Sequence, residues 1–417
     1  MESQTASSLS AVAAGKLKQR IYSVDLLRGI VMMIMMLDHV REFVHAGAMQ
    51  SDPTDPATTT VAVFFTRWIT HYCAPTFVFL AGTSIYLQKL NGKTNAELSR
   101  FLWTRGLWLI FLEFTLVRTL IVFNLDYTFF GMAQVIWVIG VSMVVMAALI
   151  YLPVAVTGAI GVVMIVFHNL LDPLSISPAT AFAGAPPATL SQSIWIVLHQ
   201  PGVIHPFGPS SQGLFVYPII PWVGVMAAGY AFGTLYGWGG ERRRRVLLSL
   251  GLAITALFIV IRLINVYGDP SPWKYQETSV ATVLSFLNTT KYPPSLLYLL
   301  MTLGPAILVL ALTDKIDGKA VWQRVCITFG RVPMFYYLLQ WAFAHTSAVL
   351  FGYFAGVDVH YLFKSILEMG QFAPPGHGFS LAVTYADWIA GLIILYPLCH
   401  WYGNFKRRSG HWLLSYL

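Results

Sequence analysis

The chain has 417 residues, a mean hydropathy of +0.64, 56% hydrophobic residues and only 11% charged ones. A soluble domain carries about a quarter charged residues, so this composition excludes an ordinary soluble protein and implies a polytopic membrane protein. The net charge of +8 is carried by basic residues that punctuate apolar runs, which places them beside lipid headgroups and excludes nucleic acid as a partner. Three cysteines, Cys73, Cys326 and Cys399, lie far apart in apolar stretches; without CxxC or Cys/His ligand spacing, neither a disulfide nor a metal site is expected.

The first 20 residues hold Lys16, Lys18 and Arg20 but no short apolar core with a cleavage site, and form a cytoplasmic N-terminal tail. A membrane helix needs about 20 mostly apolar residues. Ten stretches meet that requirement: 22–45, 61–88, 101–122, 129–149, 151–169, 214–236, 246–267, 294–313, 321–350 and 384–403. The expected fold class is therefore all-α, a polytopic transmembrane helix bundle of about 10 spans with long outer loops. It forms a single domain over residues 21–405, with a cytoplasmic tail at 406–417, in the inner (cytoplasmic) membrane. With both termini cytoplasmic, 18 of the 26 Lys and Arg residues lie on the inner side and three, Lys274, Lys291 and Lys364, on the outer side. That asymmetry satisfies the positive-inside rule.

The first span ends in MMIMMLDHVREFVH, residues 32–45, where charge enters an apolar helix. On a helix, Asp25, Arg28, Met32, Met35, His39 and Glu42 fall on one stripe, and Asp38, Arg41 and His45 on a second. A rise of about 1.5 Å per residue puts His39 some 21 Å from Asp25, so Asp25 and Arg28 belong near the inner surface and His39 deep in the outer half. Charges at that depth are costly unless paired or facing a cavity. Asp38 and Arg41 can pair, while Arg41, Glu42 and His45 are close enough to the end of the helix to meet water. A neutral imidazole supported by a carboxylate is an oriented general base. Adjacent residues point about 100° apart, so Glu42 rather than Asp38 shares the direction of His39. The second span adds Arg67 and His71, one turn apart, with Pro75 allowing a kink; His39, His45 and His71 are expected to converge.

Later spans embed Glu113, Arg118, Gln134, Arg262, Gln340, His345 and Asp387. Glu113 and Arg118, five residues apart, are expected to reach to other helices. The long outer segments, 170–213, 268–293 and 351–383, imply that something is handled on the outer face. Within them LSQSIWIVLHQ (190–200) reads as a short amphipathic helix, and no strand pattern is evident. Arg242–Arg245 is a topology anchor. KYPPSLLYLL (291–300) opens a span with two prolines, and its Lys291 is assigned to an anionic group. VYPIIPWVG (216–224) and FGRVPMFYYLLQW (329–341) are aromatic- and proline-rich, as kinks and interfacial belts require. P-loop, HExxH and GxSxG motifs are absent.

The segments SVDLLRGIVMMIMMLDHVREF, FTRWITHYCAPTFVFLAGTSIYL, QVIWVIGVSM, YPIIPWVGVMAAGYAFGTLY, KYPPSLLYLLMTLGP and FGRVPMFYYLLQWAFAH resemble a bacterial membrane family. That family is in turn similar to the catalytic domain of heparan-alpha-glucosaminide N-acetyltransferase, and the resemblance runs from about residue 20 to 410. The lysosomal enzyme's catalytic histidine stands in a Phe-x-His-Ala stretch, which falls on His45. The broader membrane acyltransferases begin a helix with Leu-Asp-x-Leu-Arg-Gly and carry a histidine fourteen residues after the aspartate, which falls on His39.

The resemblance implies transfer of an acetyl group from cytoplasmic acetyl-CoA to an amine or hydroxyl of a sugar or glycan on the outer side, as O- or N-acetylation. His39 is then the preferred catalytic residue and His45 the second, with Asp38 and His71 completing the catalytic set. Arg28, Arg105 and Lys291 are assigned to the anionic donor, and Arg41, Glu42 and Arg67 to the acceptor; no metal is included. Expected partners are the lipid bilayer, acetyl-CoA, the acceptor and, as an option, a second copy as a homodimer. The competing expectation is a transporter or flippase that uses the same His, Asp and Arg residues as a proton relay.

Overall fold

The computed structural model describes residues 21–48, 51–56, 58–175, 187–409, 411 and 414; the tail at 1–20 and most of 410–417 lie outside the described residues. The chain is mostly helical. Helix α1 (Tyr22–Val44) is followed by α2 (Val61–Thr70), α3 (Cys73–Leu90) and α4 (Asn95–Leu112). A π-turn at Glu113–Val117 joins α4 to α5 (Arg118–Val122). After strand β1 (Phe129–Ala133) come α6 (Val135–Leu149), α7 (Val154–Phe167), α8 (Leu190–Leu198), β2 (Gly202–Ile204) and β3 (Gln212–Phe215). The chain closes with α9 (Ile219–Phe232), α10 (Gly240–Ile264), α11 (Ser279–Leu287), α12 (Leu296–Leu312), α13 (Val321–Arg331), α14 (Pro333–Phe354), α15 (Ile366–Phe372) and α16 (Leu381–Ser409).

Among the described residues, four helical segments are long and apolar enough to cross a membrane: Val154–Leu171, Ile219–Gly237, Gly240–Ile264 and Leu381–Ser409. Two shorter apolar helices, Val135–Leu149 and Leu296–Leu312, lie within expected spans. The remaining expected spans differ in instructive ways. The second is two helices, because the chain turns at His71–Tyr72 and restarts at Cys73, with Pro75 in the first turn where its missing N–H costs nothing. The ninth is likewise split at Val332, and Pro333 opens α14. The fourth begins as a strand over Phe129–Ala133 rather than as helix. The eighth is the continuous helix α12, which accommodates Pro305 within it.

The expectation of no strands is thus corrected. β3 pairs parallel with β1 and antiparallel with β2, giving a three-stranded sheet in the order β1-β3-β2. It is stitched from the 129–133 segment and the long loop that follows α8.

The most extensive helix pairings are α10 with α12, α9 with α7, α4 with α6, α9 with α3, and α13 with α1. Each meets at glycines. A Cβ added at Gly29 of α1 would stand 1.7 Å from the Cys326 carbonyl oxygen, and one at Gly330 of α13 would stand 2.0 Å from that of Asp25. Gly106 and Gly140 face each other in the same way across α4 and α6. Apolar solvent offers no hydrophobic drive between helices, so close backbone approach through small residues supplies the packing.

The outside of the bundle is apolar. Helix α10 buries only Leu247, Gly251, Phe258 and Arg262, one face of the helix, and turns Leu252, Leu257, Val260, Leu263 and Ile264 outward. An exposed apolar surface of this extent is what lipid covers. The polar residues go inward, and α1 is central to them: it packs on α2, α3, α12, α13, α14 and α16.

Candidate active site

Two cavities lie along α1. The first, about 230 Å³, is lined by Arg28, Met32 and Met35 of α1, by Ser84 and Gln88 of α3, by Arg105 and Leu109 of α4, by Ile136 and Ile139 of α6, and by Tyr337 of α14. The second, about 690 Å³, is lined by Glu42 and Phe43 of α1, Arg67 of α2, Met132, Gln134 and Val216 beside the sheet, Tyr292, Trp341 of α14, and Ile366, Leu367, Met369, Gly370 and Gln371 of α15. The expected stripe on α1 is therefore the cavity-facing one. Its Arg28, Met32 and Met35 face the first chamber, and its Glu42 faces the second.

His39 lines neither cavity but touches one residue of each. Its ring is stacked on Trp341 with centroids 3.7 Å apart and 19° between planes, and meets Tyr337 edge-on at 6.3 Å. Tyr337 lines the first cavity and Trp341, one turn further along α14, lines the second. His39 is 7% exposed, and its Nδ1 has no hydrogen-bond partner. The aromatic wall was hidden in the sequence: Tyr337 and Trp341 sat in a run whose aromatics suit an interfacial belt equally well. Only their one-turn spacing, shared with Met35 and His39 on the partner helix, carries a signal.

The second stripe turns toward α2. The Asp38 carboxylate takes a close ion pair from Arg67 Nη1 and a second bond from Arg41 Nη2 at 3.3 Å. Asp38 gives no direct support to His39, as the 100° offset requires. Arg41 is 3% exposed, so the expectation that it meets water is corrected: its Nη2 bonds Asp38, with Glu42 Oε1 3.8 Å away, and its Nε and Nη1 are buried without a hydrogen-bond partner. His71 closes α2 at 3% exposure; its carbonyl accepts from the Tyr298 hydroxyl at 2.8 Å and its ring lies 5.5 Å from that of Tyr298. Lys291, with its Nζ 5.1 Å from the Tyr292 ring, places its positive field on Asp38, His39 and His71. It therefore joins the His39 cluster rather than the Arg28 cavity.

Arg28 and Arg105 face one cavity, as grouped from sequence. Arg28 donates to Ser84 Oγ at 2.8 Å and to Asp25 Oδ1 at 3.4 Å, and Arg105 lies near the ring of Phe101. His45 ends α1 apart from both chambers. Its N–H bonds to the Arg41 carbonyl at 3.1 Å, its backbone bridges to Phe379, and its side chain is half-buried.

Glu113, Arg118 and Arg262 resolve as packing, whereas Gln134 lines the second cavity and the polar atoms of Gln340 and His345 are buried without a hydrogen-bond partner. Glu113 reaches another helix, accepting the Trp137 N–H at 2.8 Å at the start of α6, where a helix N-terminus favours an anion. Arg118 does not reach across. It folds back on the carbonyls of Asn124, Asp126 and Phe129 in the segment that leads to β1. Arg262 is likewise saturated by the carbonyls of Ser271, Ser285, Phe286 and Asn288.

The chain is thus a mostly helical bundle with an apolar exterior and a buried cluster of Asp38, Arg41 and Arg67. The chain belongs to the heparan-alpha-glucosaminide N-acetyltransferase catalytic family, whose model matches residues 20–275. It is thereby a member of a membrane acetyltransferase family. No curated protein matches the sequence. The matched segment carries Asp38, His39, Arg67 and His71; Lys291, Tyr337 and Trp341 are supplied by the part of the chain beyond it.

Proposed function

We propose that the chain transfers an acetyl group from acetyl-CoA, taken from the cytoplasmic side, to an amine or hydroxyl of a sugar or glycan on the outer side, across a bundle of about ten spans. The observation that carries this reading is the seat of His39, on two side chains of one helix that line two different chambers. The donor fits the first chamber. Arg28 and Arg105 present cations to its phosphates, and the Met32, Met35 and Leu109 surface suits a pantetheine arm. The acceptor fits the second, where Glu42, Gln134 and Arg67 offer hydrogen bonds.

In the reaction, His39 takes the proton from the acceptor N–H or O–H. The freed lone pair attacks the thioester carbonyl carbon, the C–S bond breaks, and the thiolate of CoA receives the proton from the imidazolium. Lys291 and Arg67 supply positive charge beside the developing oxyanion. In the relay form of the same chemistry, His39 accepts the acetyl group first and passes it on. A positioned base contributes about 10²–10⁴-fold in rate.

The test is transfer of radiolabelled acetyl from acetyl-CoA to a panel of amino and neutral sugars by the purified protein. His39→Ala is expected to lose activity by that factor while the protein still folds, with a melting point lowered by the loss of a buried stacked ring, whereas His45→Ala retains most of its activity. Full turnover by His39→Ala overturns the assignment. Sugar movement into proteoliposomes without acetylation would establish the transporter instead.

A further inference from the structure

We infer that His168, Asp172 and His199 form a binding site for a single divalent transition-metal ion of the zinc class, which pins the outer loop system to the bundle. Two of the residues come from one turn and the third from 27 residues further along the chain. His168 opens the 3₁₀ turn His168–Leu171 at the end of α7, Asp172 follows that turn, and His199 caps α8. One ligand atom from each lies within 4.8 Å of the others.

The donors lack better uses. His168 is 2% exposed and His199 0%. His199 Nε2 lies 3.0 Å from Asp172 Oδ1, but its Nδ1 has no partner. Neither nitrogen of His168 makes a well-directed hydrogen bond; the Pro294 carbonyl lies beside the ring. Buried imidazoles left in this state are rare unless something completes them. The surroundings resemble the outer support of a metal site. Asn169 Nδ2 holds Asp172 Oδ2 at 2.8 Å and leaves Oδ1 directed at the histidines, and a backbone carbonyl beside His168 can fix the orientation of its ring.

Two imidazoles and one carboxylate suit zinc or a neighbouring transition ion, whereas calcium and magnesium demand oxygen donors. Zinc–nitrogen bonds of about 2.0–2.1 Å set tetrahedral donors about 3.4 Å apart, so the His168 ring must close by about an ångström. Asp172 has a 22% exposed side chain, which leaves an opening for a water as the fourth ligand. The ion would tie the end of α7 to α8. Asn169 Oδ1 continues the tie to α12 by accepting the Leu296 N–H at 2.9 Å. The loop after α8 carries β2 and β3, and Val216 just beyond β3 walls the second cavity together with Met132 of β1. The site therefore holds that wall in place and takes no part in the transfer.

The test uses the full chain in detergent, with any polyhistidine tag removed, stripped by chelator and titrated with Zn²⁺ alone and separately with Co²⁺. One Zn²⁺ per chain is expected, with a raised thermal midpoint and a tetrahedral Co²⁺ spectrum. Asp172→Asn, nearly isosteric, and His168→Gln should each weaken binding by more than about 100-fold, beyond the loss typical of an outer-shell change. His205→Gln and His360→Gln should bind as the unaltered chain does. Stoichiometric binding that survives both Asp172→Asn and His168→Gln overturns the site, as does absence of saturable binding in the unaltered chain. If the histidine variant fails to fold, the Asp172→Asn titration and the Co²⁺ spectrum decide, an octahedral all-water spectrum counting against the site.

Discussion

At the scale of single residues, the Asp38 carboxylate governs the site without touching its histidine. It is flanked by two buried guanidinium groups, Arg67 and Arg41, and it fixes α2 against α1 through the first of them. Removing one member of a buried ion cluster leaves its partners uncompensated, which costs about 3–5 kcal/mol, whereas removing a whole pair costs far less. Asp38→Asn is therefore expected to lower the thermal midpoint sharply, and Asp38→Asn combined with Arg67→Met to restore a large part of the loss. Additive losses in the double variant would show that the two groups are not coupled. The half of this cluster carried by α1 was legible in the sequence, because Asp38 and Arg41 are three apart on one helix. Arg67 was legible as a polar residue in a span, but its partner was not, since nothing local links residues 29 positions apart. Trp341 and Tyr337 stayed hidden for a different reason: aromatic residues are abundant wherever a membrane protein meets headgroups, so composition could not single them out.

At the scale of elements, the helices are set by glycine contacts. The α1–α13 crossing brings backbone onto backbone at Gly29 and Gly330, and that crossing also seats Arg28, whose Nη1 lies 3.4 Å from the Gly330 carbonyl. Gly330→Ala places a carbon where the Asp25 carbonyl oxygen stands, so the helices must separate. Overpacking of this kind costs about 1–3 kcal/mol and should lower both folded yield and donor-dependent turnover. Gly240→Ala is the control. Its nearest neighbour is the end of the Arg243 side chain at 3.8 Å, and it should melt within about 0.5 kcal/mol of the unaltered protein. Thermal melting followed by size exclusion compares the two, and equal stability would remove the crossing from the account. The glycine contacts were not legible in the sequence, and element type was legible only in part. FFGMA, residues 129–133, is as apolar as the helix after it, and a short apolar run reads equally as strand or helix. The strand became visible only once the loop beyond α8 brought its partners, β3 and β2, alongside.

At the scale of the whole molecule, the charge asymmetry of the sequence has a counterpart in space. Arg331 lies 3.9 Å from Asp25, Arg105 places its field on Lys406, and Arg243 pairs with Asp314 at 2.8 Å. Segments assigned to the inner side from widely separated parts of the chain thus meet one another in space. The His39 cluster, with Lys291, lies toward the other end of α1. If the bundle sits in a membrane as its charges require, Lys319 and Lys364 must emerge on opposite faces. Both are exposed, and the three native cysteines are buried, so a single introduced cysteine can be labelled against a low background. In intact cells, Lys364→Cys is expected to react with a membrane-impermeant thiol reagent and Lys319→Cys only after the membrane is opened. Inverted vesicles should reverse that pattern, and they alone should consume acetyl-CoA added outside, because the Arg28 cavity then faces the medium. Labelling of both positions from one face would refute the sidedness. Turnover of external acetyl-CoA by intact cells would refute the assignment of the donor to the Arg28 chamber even with the topology upheld.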